Sequence, residues 1–328
     1  MGRQAWKPML VTPALGSECW AAGHDPLLCC HPKLGEKGWE LCWDGDYTAL
    51  RCCNQSAWDS QEQLGYMLRL QDSWHRRCEH AEVFRDKPGE WSDGVWQQLM
   101  FWFYWLQNRT KAELDDFASR PLEEKLRRLA KRSRSGEPHL QLQKVSILDV
   151  GAGAVVQVGH QWPGVEVELS VADPLACHYH WMLEDLGLQH LQPRRSKPVG
   201  AESVAEAFGH EVFDVIHSSN ALDHSHDPIA AMRGLLRAIR PGRPLYLEMR
   251  QNEGQYQNYT GFHLWNFDLQ DQRLVLWRPR GESKEFYDVE SVLAADGLVS
   301  PGDLEVDLSW DKENEVYQVV STIWRRDV

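Results

Sequence analysis

The feature that most constrains this chain is the run Lys144-Val-Ser-Ile-Leu-Asp-Val150, which leads directly into Gly151-Ala-Gly-Ala154. An apolar run with β-branched residues suits a strand buried on both faces. Glycine just beyond it admits left-handed backbone and lets the main chain approach a ligand closely. The pattern predicts a short helix from about Ala154, then a second strand, Val165–Ala172, ending at Asp173. A carboxylate at the carboxyl end of that strand can accept hydrogen bonds from both hydroxyls of a ribose. Asp149 and Asp173 lie 24 residues apart, close to the spacing such a unit requires.

The glycine turn is short, and that discriminates between ligands. A nicotinamide dinucleotide site wants Gly-x-Gly-x-x-Gly, whose third glycine makes room for a helix N-terminus that holds pyrophosphate. Val156 occupies the third position, and Gly159 follows only later. A nucleoside without phosphate tolerates the shorter turn. A nicotinamide oxidoreductase is therefore the weaker reading.

Strands and helices alternate after Ser133-Arg-Ser-Gly-Glu-Pro138, which punctuates the chain as a linker. Phe213–Ser218 and Arg243–Met249 read as further strands. Between them Asp227–Arg240 reads as a helix, apolar at Ile229, Met232, Leu235, Leu236 and Ile239 and stopped by Pro241-Gly242. The fold class expected is α/β, a Rossmann-like doubly wound sheet, mainly parallel with an antiparallel edge strand. The expected domains are a cysteine-rich module over 1–55, a helical cap or lid over 56–139, and the sheet domain over 140–328.

In order and spacing these elements resemble class I S-adenosylmethionine-dependent methyltransferases. Ile147-Leu-Asp-Val-Gly-Ala-Gly153 is similar to their first motif and Val171-Ala-Asp-Pro174 to the acidic motif that follows. Gly200-Ala-Glu-Ser203 stands where the family places its adenine-contacting loop, with Ala201 in place of the usual aspartate. The resemblance implies S-adenosyl-L-methionine as cofactor. It implies contacts from Asp149, Gly151, Ala152, Gly153, Asp173, Pro174, Ala201, Glu202, Ser218 and Asn220. It covers some 110 residues well and the rest loosely.

Ligands bind beyond the carboxyl ends of strands in such sheets. The stretch after Ser218 collects Asn220, Asp223, His224 and His226, and the loop after Met249 offers Arg250, Asn252 and Glu253. Asn258–Phe267 is dense in polar and aromatic groups, and its Gly-x-His-x-Trp-Asn-Phe segment resembles a less-described subgroup of the same family. Transfer of a methyl group to a hydroxyl needs alignment and a proton acceptor. His224 and His263 are the candidate catalytic bases, with Asn220 positioning acceptor or cofactor. A structural hydrogen-bonding role is the alternative for each. A divalent metal shared by His224, Glu248 and His263 is a further possibility. Trp265 and Phe267 suit either an aromatic substrate wall or the core.

The N-terminal segment repeats. Cys19-Trp20 with Cys29-Cys30 recurs as Cys42-Trp43 with Cys52-Cys53, holding six of the eight cysteines. So short a segment needs staples, and disulfides, a metal and free thiols all stay open. The pattern resembles small CW…CC modules attached to diverse proteins, whose expected role is structural, with protein docking as an option. From 56 to 133 the chain reads as helical, over Gln61–Ala81, Trp91–Gln107 and Ala112–Arg134. A net charge of −13 argues against nucleic acid and anionic membrane. No apolar stretch reaches the ~20 residues of a membrane span. The expected acceptor is a small molecule or sugar-like compound, methylated on oxygen. The alternative is a non-catalytic binding protein on the same fold. Compartment stays open, since cysteine density points to an oxidising lumen and the cofactor to cytosol or organelle.

Overall fold

The computed structural model describes residues 73–74, 77–78, 92–132, 142–192, 196–312 and 314–327. The cysteine-rich repeat, the linker 133–138 and most of 61–81 lie outside the described residues. Those described fall into two compact units, one holding 73–74, 77 and 99–116, the other 78, 92–98 and the chain from Phe117 onward. Among them no helix is long and apolar enough to cross a membrane.

In the first unit, the aromatic run lies on helix α1 (Ser92–Gln107). Leu99, Trp102, Phe103 and Leu106 are buried while Phe101 and Tyr104 stay exposed, the one-sided burial that a 3.6-residue period imposes. The single helix expected over 112–134 is two, α2 (Lys111–Ser119) and α3 (Glu124–Lys131). Pro121 separates them, since proline removes a helical donor and clashes with the preceding turn.

The second unit is built on a six-stranded sheet. Its strands are β1 (Lys144–Val150), β2 (Glu166–Ala172), β3 (Val215–Ser219), β4 (Pro244–Arg250), β8 (Leu304–Asp311) and β9 (Val316–Trp324), in the order β2-β1-β3-β4-β9-β8. The first four are parallel; β9 runs antiparallel to β4, and β8 to β9. The antiparallel edge is thus two strands wide. Beyond β2 a further strand is reduced to one bridge, Ala172 to Lys197, and Pro198 cannot donate to extend it. A separate antiparallel sheet, β5 (Asn266–Gln270), β6 (Arg273–Arg280) and β7 (Ser283–Asp288), was not expected.

The sheet carries a core on each face, and the two-residue period of its strands divides side chains between them. Leu148 and Val150 of β1 join Ile216, Leu245, Leu247 and α5 (Pro228–Ala238) in one core. Val145 and Ile147 join Val215, Tyr246 and α3 in the other. Helix α3, assigned from sequence to a capping segment, thus packs on the sheet through Leu126, Leu129 and Ala130.

The helix expected from Ala154 does not form. Residues 154–161 are turn and coil between β1 and β2. Gly151, Gly153, Gly159 and Gly164 are all left-handed there, and the intervening residues include three valines, poor helix formers. The coil is stitched to the α2–α3 linker instead: Leu122 N–H donates to Gln161 O at 2.8 Å, Glu123 N–H to Val158 O at 3.0 Å and His160 N–H to Arg120 O at 3.3 Å. A Cβ on Gly159 would collide with the Pro121 carbonyl, so only glycine permits this approach. A disulfide ties Cys78 to Cys177 of α4 (Ala176–Asp185), 99 residues on.

Candidate active site

The strand order places β1 between β2 and β3, whose connections leave on opposite sides. That is the switch point where doubly wound sheets bind ligands. Three loops meet at its carboxyl edge.

The first follows β1. Gly151 adopts φ +71°, and a Cβ there would strike the Ala221 Cβ from the loop after β3. Gly153 adopts φ +68° and donates its N–H to Asp173 Oδ2 at 2.9 Å. Gln192 holds the same turn from outside, its Nε2 donating to Ala154 O at 2.8 Å. Ala152 is buried, part of the core on the α3 face.

Asp173 ends β2. It is buried, with Oδ1 accepting the Leu175 N–H at 2.7 Å. Burial pushes its carboxyl up to about 6, while the amides of Leu175 and Gly153 pull the other way. Pro174 follows, half-buried, at the turn into α4.

Asp149 and Ser218 close the ends of β1 and β3. Ser218 Oγ donates to Val150 O at 2.9 Å. Asp149 lies opposite His217 in the register, and its Oδ1 meets His217 Nδ1 at 2.8 Å. His217 Nε2 stands 3.7 Å from Glu248 Oε2, an ion pair beyond hydrogen-bond reach. Glu248 is also paired with Lys125 of α3 and accepts the Tyr246 hydroxyl at 3.1 Å. Burial alone would pull the His217 imidazole down, but Asp149 and Glu248 together raise it to about 9. Burial would likewise raise Glu248, yet His217 and Lys125 hold it at about 2. A buried row of alternating charge therefore crosses three strands, and Asp149 Oδ2 is left buried without a partner.

The third loop follows β3. Asn220 is left-handed at φ +45°, and its Oδ1 accepts the Arg250 N–H at 2.7 Å, which clips the β3 loop to the end of β4. Residues 222–224 form a single 3-10 turn that buries Asp223. Leu264 N–H donates to Asp223 O at 3.0 Å, bringing the Gly261–Trp265 segment alongside. There Asp223 Oδ2 meets His263 Nδ1 at 2.7 Å, and His224 Nε2 lies 3.2 Å from that same nitrogen. Burial would raise the Asp223 carboxyl, but the two histidines keep it below the usual range. Burial lowers His224; burial would also lower His263, but its hydrogen bond to Asp223 and the charges of Asp223 and Glu253 together raise it.

The structure brings His224 and His263, each a candidate base from the sequence, to one place, and Asp223 joins them. Glu248 does not belong with them: it sits with His217 and Lys125 on the α3 face, so the set His224, Glu248 and His263 is not assembled. Trp265 and Phe267 lie in the core, 2% and 1% exposed, and form no substrate wall. Ala201 is buried in the 3-10 turn Ala201–Ser203, and Glu202 Oε1 accepts the His226 N–H at 3.1 Å. His217 was overlooked; its signal was a titratable residue inside an otherwise apolar strand.

The model of one family, described as a methyltransferase domain, matches residues 114–291. The chain belongs to this methyltransferase-domain family. As a member of that family it carries a methyltransferase domain, for which S-adenosylmethionine is the cofactor that the sequence resemblance implies. Among curated proteins none matches the sequence. Solved structures are similar at low identity. Phosphoethanolamine N-methyltransferase 2 of Haemonchus contortus is 11% identical over 71% of this chain and 58% of that one, at TM-score 0.43. The CMeT domain of citrinin polyketide synthase is 17% identical over 56% and 47%, at 0.38. A SAM-dependent methyltransferase from Aquifex aeolicus is 16% identical over 61% and 88%, at 0.32.

The residues present suit that cofactor. Gly151 and Gly153 hold the turn in left-handed backbone, which exposes its main chain to a ligand without side chains in the way. Asp173 is fixed by two amides, and each carboxylate oxygen keeps a further lone pair for a ribose hydroxyl. Asp149 Oδ2 is a buried, unpartnered acceptor suited to a cationic group.

Proposed function

We propose that this methyltransferase acts on a hydroxyl of a small-molecule or sugar-like acceptor, activated at Asp223, His224 and His263. The observation that supports it most is the convergence of one carboxylate and two imidazoles on a loop whose Ala221 touches Gly151 of the cofactor turn. Bound S-adenosylmethionine supplies a methyl carbon on a positively charged sulfur. Asp173 holds the ribose, Gly151 and Gly153 let the nucleoside approach the main chain, and Glu202 beside Ala201 lines the adenine side. Asn220 fixes the acceptor loop against β4 and so sets the line of attack. The acceptor hydroxyl loses its proton at the cluster. The cluster would then hold that oxygen in line with the methyl group that the bound cofactor would supply.

An amine acceptor is already nucleophilic once neutral and has less need of such a cluster. A net charge of −13 favours a small acceptor over a nucleic acid. The test is incubation of the full chain with methyl-labelled S-adenosylmethionine and matched panels of phenols, sugars and amines. Label in O-methyl products, with equal adenosylhomocysteine, is expected. Label in N-methyl products alone would overturn the oxygen assignment. Cofactor binding without any product would support a binding protein.

A further inference from the structure

We infer that Asp223 Oδ2, His224 Nε2 and His263 Nδ1 form a binding site for one divalent transition-metal ion of the zinc, cobalt or manganese type. The three atoms form a small triangle with sides of 2.7, 3.2 and 3.6 Å. An ion of this type binds such atoms at ~2.0–2.2 Å, so neighbouring ligands at tetrahedral or octahedral angles stand ~2.8–3.6 Å apart. The triangle has the size of a coordination face.

A hydrogen-bonded reading of the same triangle satisfies it poorly. One proton on His263 Nδ1 serves Asp223, and the His224 nitrogen is directed at that same nitrogen. His263 Nδ1 cannot both donate to Asp223 and accept from His224, so one of the two contacts lacks its hydrogen. A second, independent sign is Asp223 Oδ1, buried without a partner on a side chain only 4% exposed. A carboxylate taken so far from water needs compensation by a cation or further donors. Nearby Glu253 is also buried, and its charge acts on both imidazoles. Arg250 donates to it at 3.4 Å and offsets part of that charge.

Two imidazole nitrogens and one carboxylate oxygen select a borderline ion over magnesium or calcium, which prefer all-oxygen sets. Three protein ligands leave positions open, and the histidines are each 20% exposed, so the open side can be reached. An acceptor hydroxyl bound there would lose its proton to water more readily, the charge on its oxygen being held by the ion. That consequence rests on the methyl-transfer reading above; occupancy of the site does not.

The test uses the full chain, stripped with chelator and titrated with Co2+ without cofactor. The six cysteines of the N-terminal repeat are a rival set, but cobalt–thiolate bonds absorb strongly in the near ultraviolet, whereas a nitrogen and oxygen site shows only weak visible bands. The expected result is one weak visible band saturating at one ion per chain. His224→Ala and Asp223→Asn, each checked for retained adenosylhomocysteine binding, should weaken it more than ~10-fold, since loss of an outer-shell partner alone costs ~10–100-fold. No such band in folded wild type, or a band indifferent to both substitutions, overturns the inference. Should a variant not fold, the wild-type titration still decides. A band without methyl transfer to any acceptor would sink the catalytic reading alone.

Discussion

Replacing His217 by glutamine tests the row of charge beneath the cofactor turn. The imidazole lies between Asp149 and Glu248 and is 4% exposed, so water screens the interaction little. Its folded value of about 9 against 6.5 corresponds to about 3 kcal/mol of stabilisation of the charged form. Removal of one partner from a buried ion pair costs a similar ~3–5 kcal/mol, because the remaining charges stay buried. The sign follows from the raised value. The contribution is complete below about pH 6.5, fades as pH rises through 9, and is gone by about pH 10. Urea unfolding of wild type and His217→Gln at pH 6 and pH 10 isolates it, because other titrations cancel in the difference. The stability gap should narrow by about 3 kcal/mol between the two conditions. A gap that stays constant, or widens with pH, would show that His217 is neutral in the fold and refute the argument.

Asp173 should make cofactor binding pH-dependent. The ionised carboxyl accepts the ribose hydroxyls, so affinity for adenosylhomocysteine should fall about tenfold per unit as pH drops below about 6. Asp173→Asn should weaken binding ~10-fold or more at neutral pH and flatten that profile, as calorimetric titration would show. Gly151→Ala places a side chain at φ +71° against Ala221, costing at least ~1–2 kcal/mol for the left-handed backbone alone. Retained stability and cofactor affinity in that variant would mean the turn is not held as described. Replacing Cys78 and Cys177 together by alanine opens a 99-residue loop and should lower unfolding stability by ~2–4 kcal/mol. An unchanged urea midpoint would argue that the two thiols are not joined.

Local patterns made the parallel strands, the glycine turn and the carboxylate at Asp173 legible in the sequence. Each is set by neighbours a few residues away: β-branched runs specify buried strands, and glycine permits the left-handed turn. Helix α5 was equally plain, its ends marked by Asp227 and Pro241. The missing helix after β1 was not plain. Its face of the sheet is covered by α3 and the coil, and that exchange depends on contacts between Pro121 and Gly159. Nor could Trp265 and Phe267 be placed, because an aromatic segment reads alike in a pocket wall and in a core.

Sequence by itself determined the class of sheet, since that follows from short-range periodicity and backbone freedom. Tertiary structure alone decided which charges meet. Asp149 and His217 are 68 residues apart and face each other through strand register, and Asp223 reaches His263 across 40 residues where Leu264 N–H donates to its carbonyl. Electrostatic interaction acts through space over a few ångströms, and separation along the chain carries no record of it.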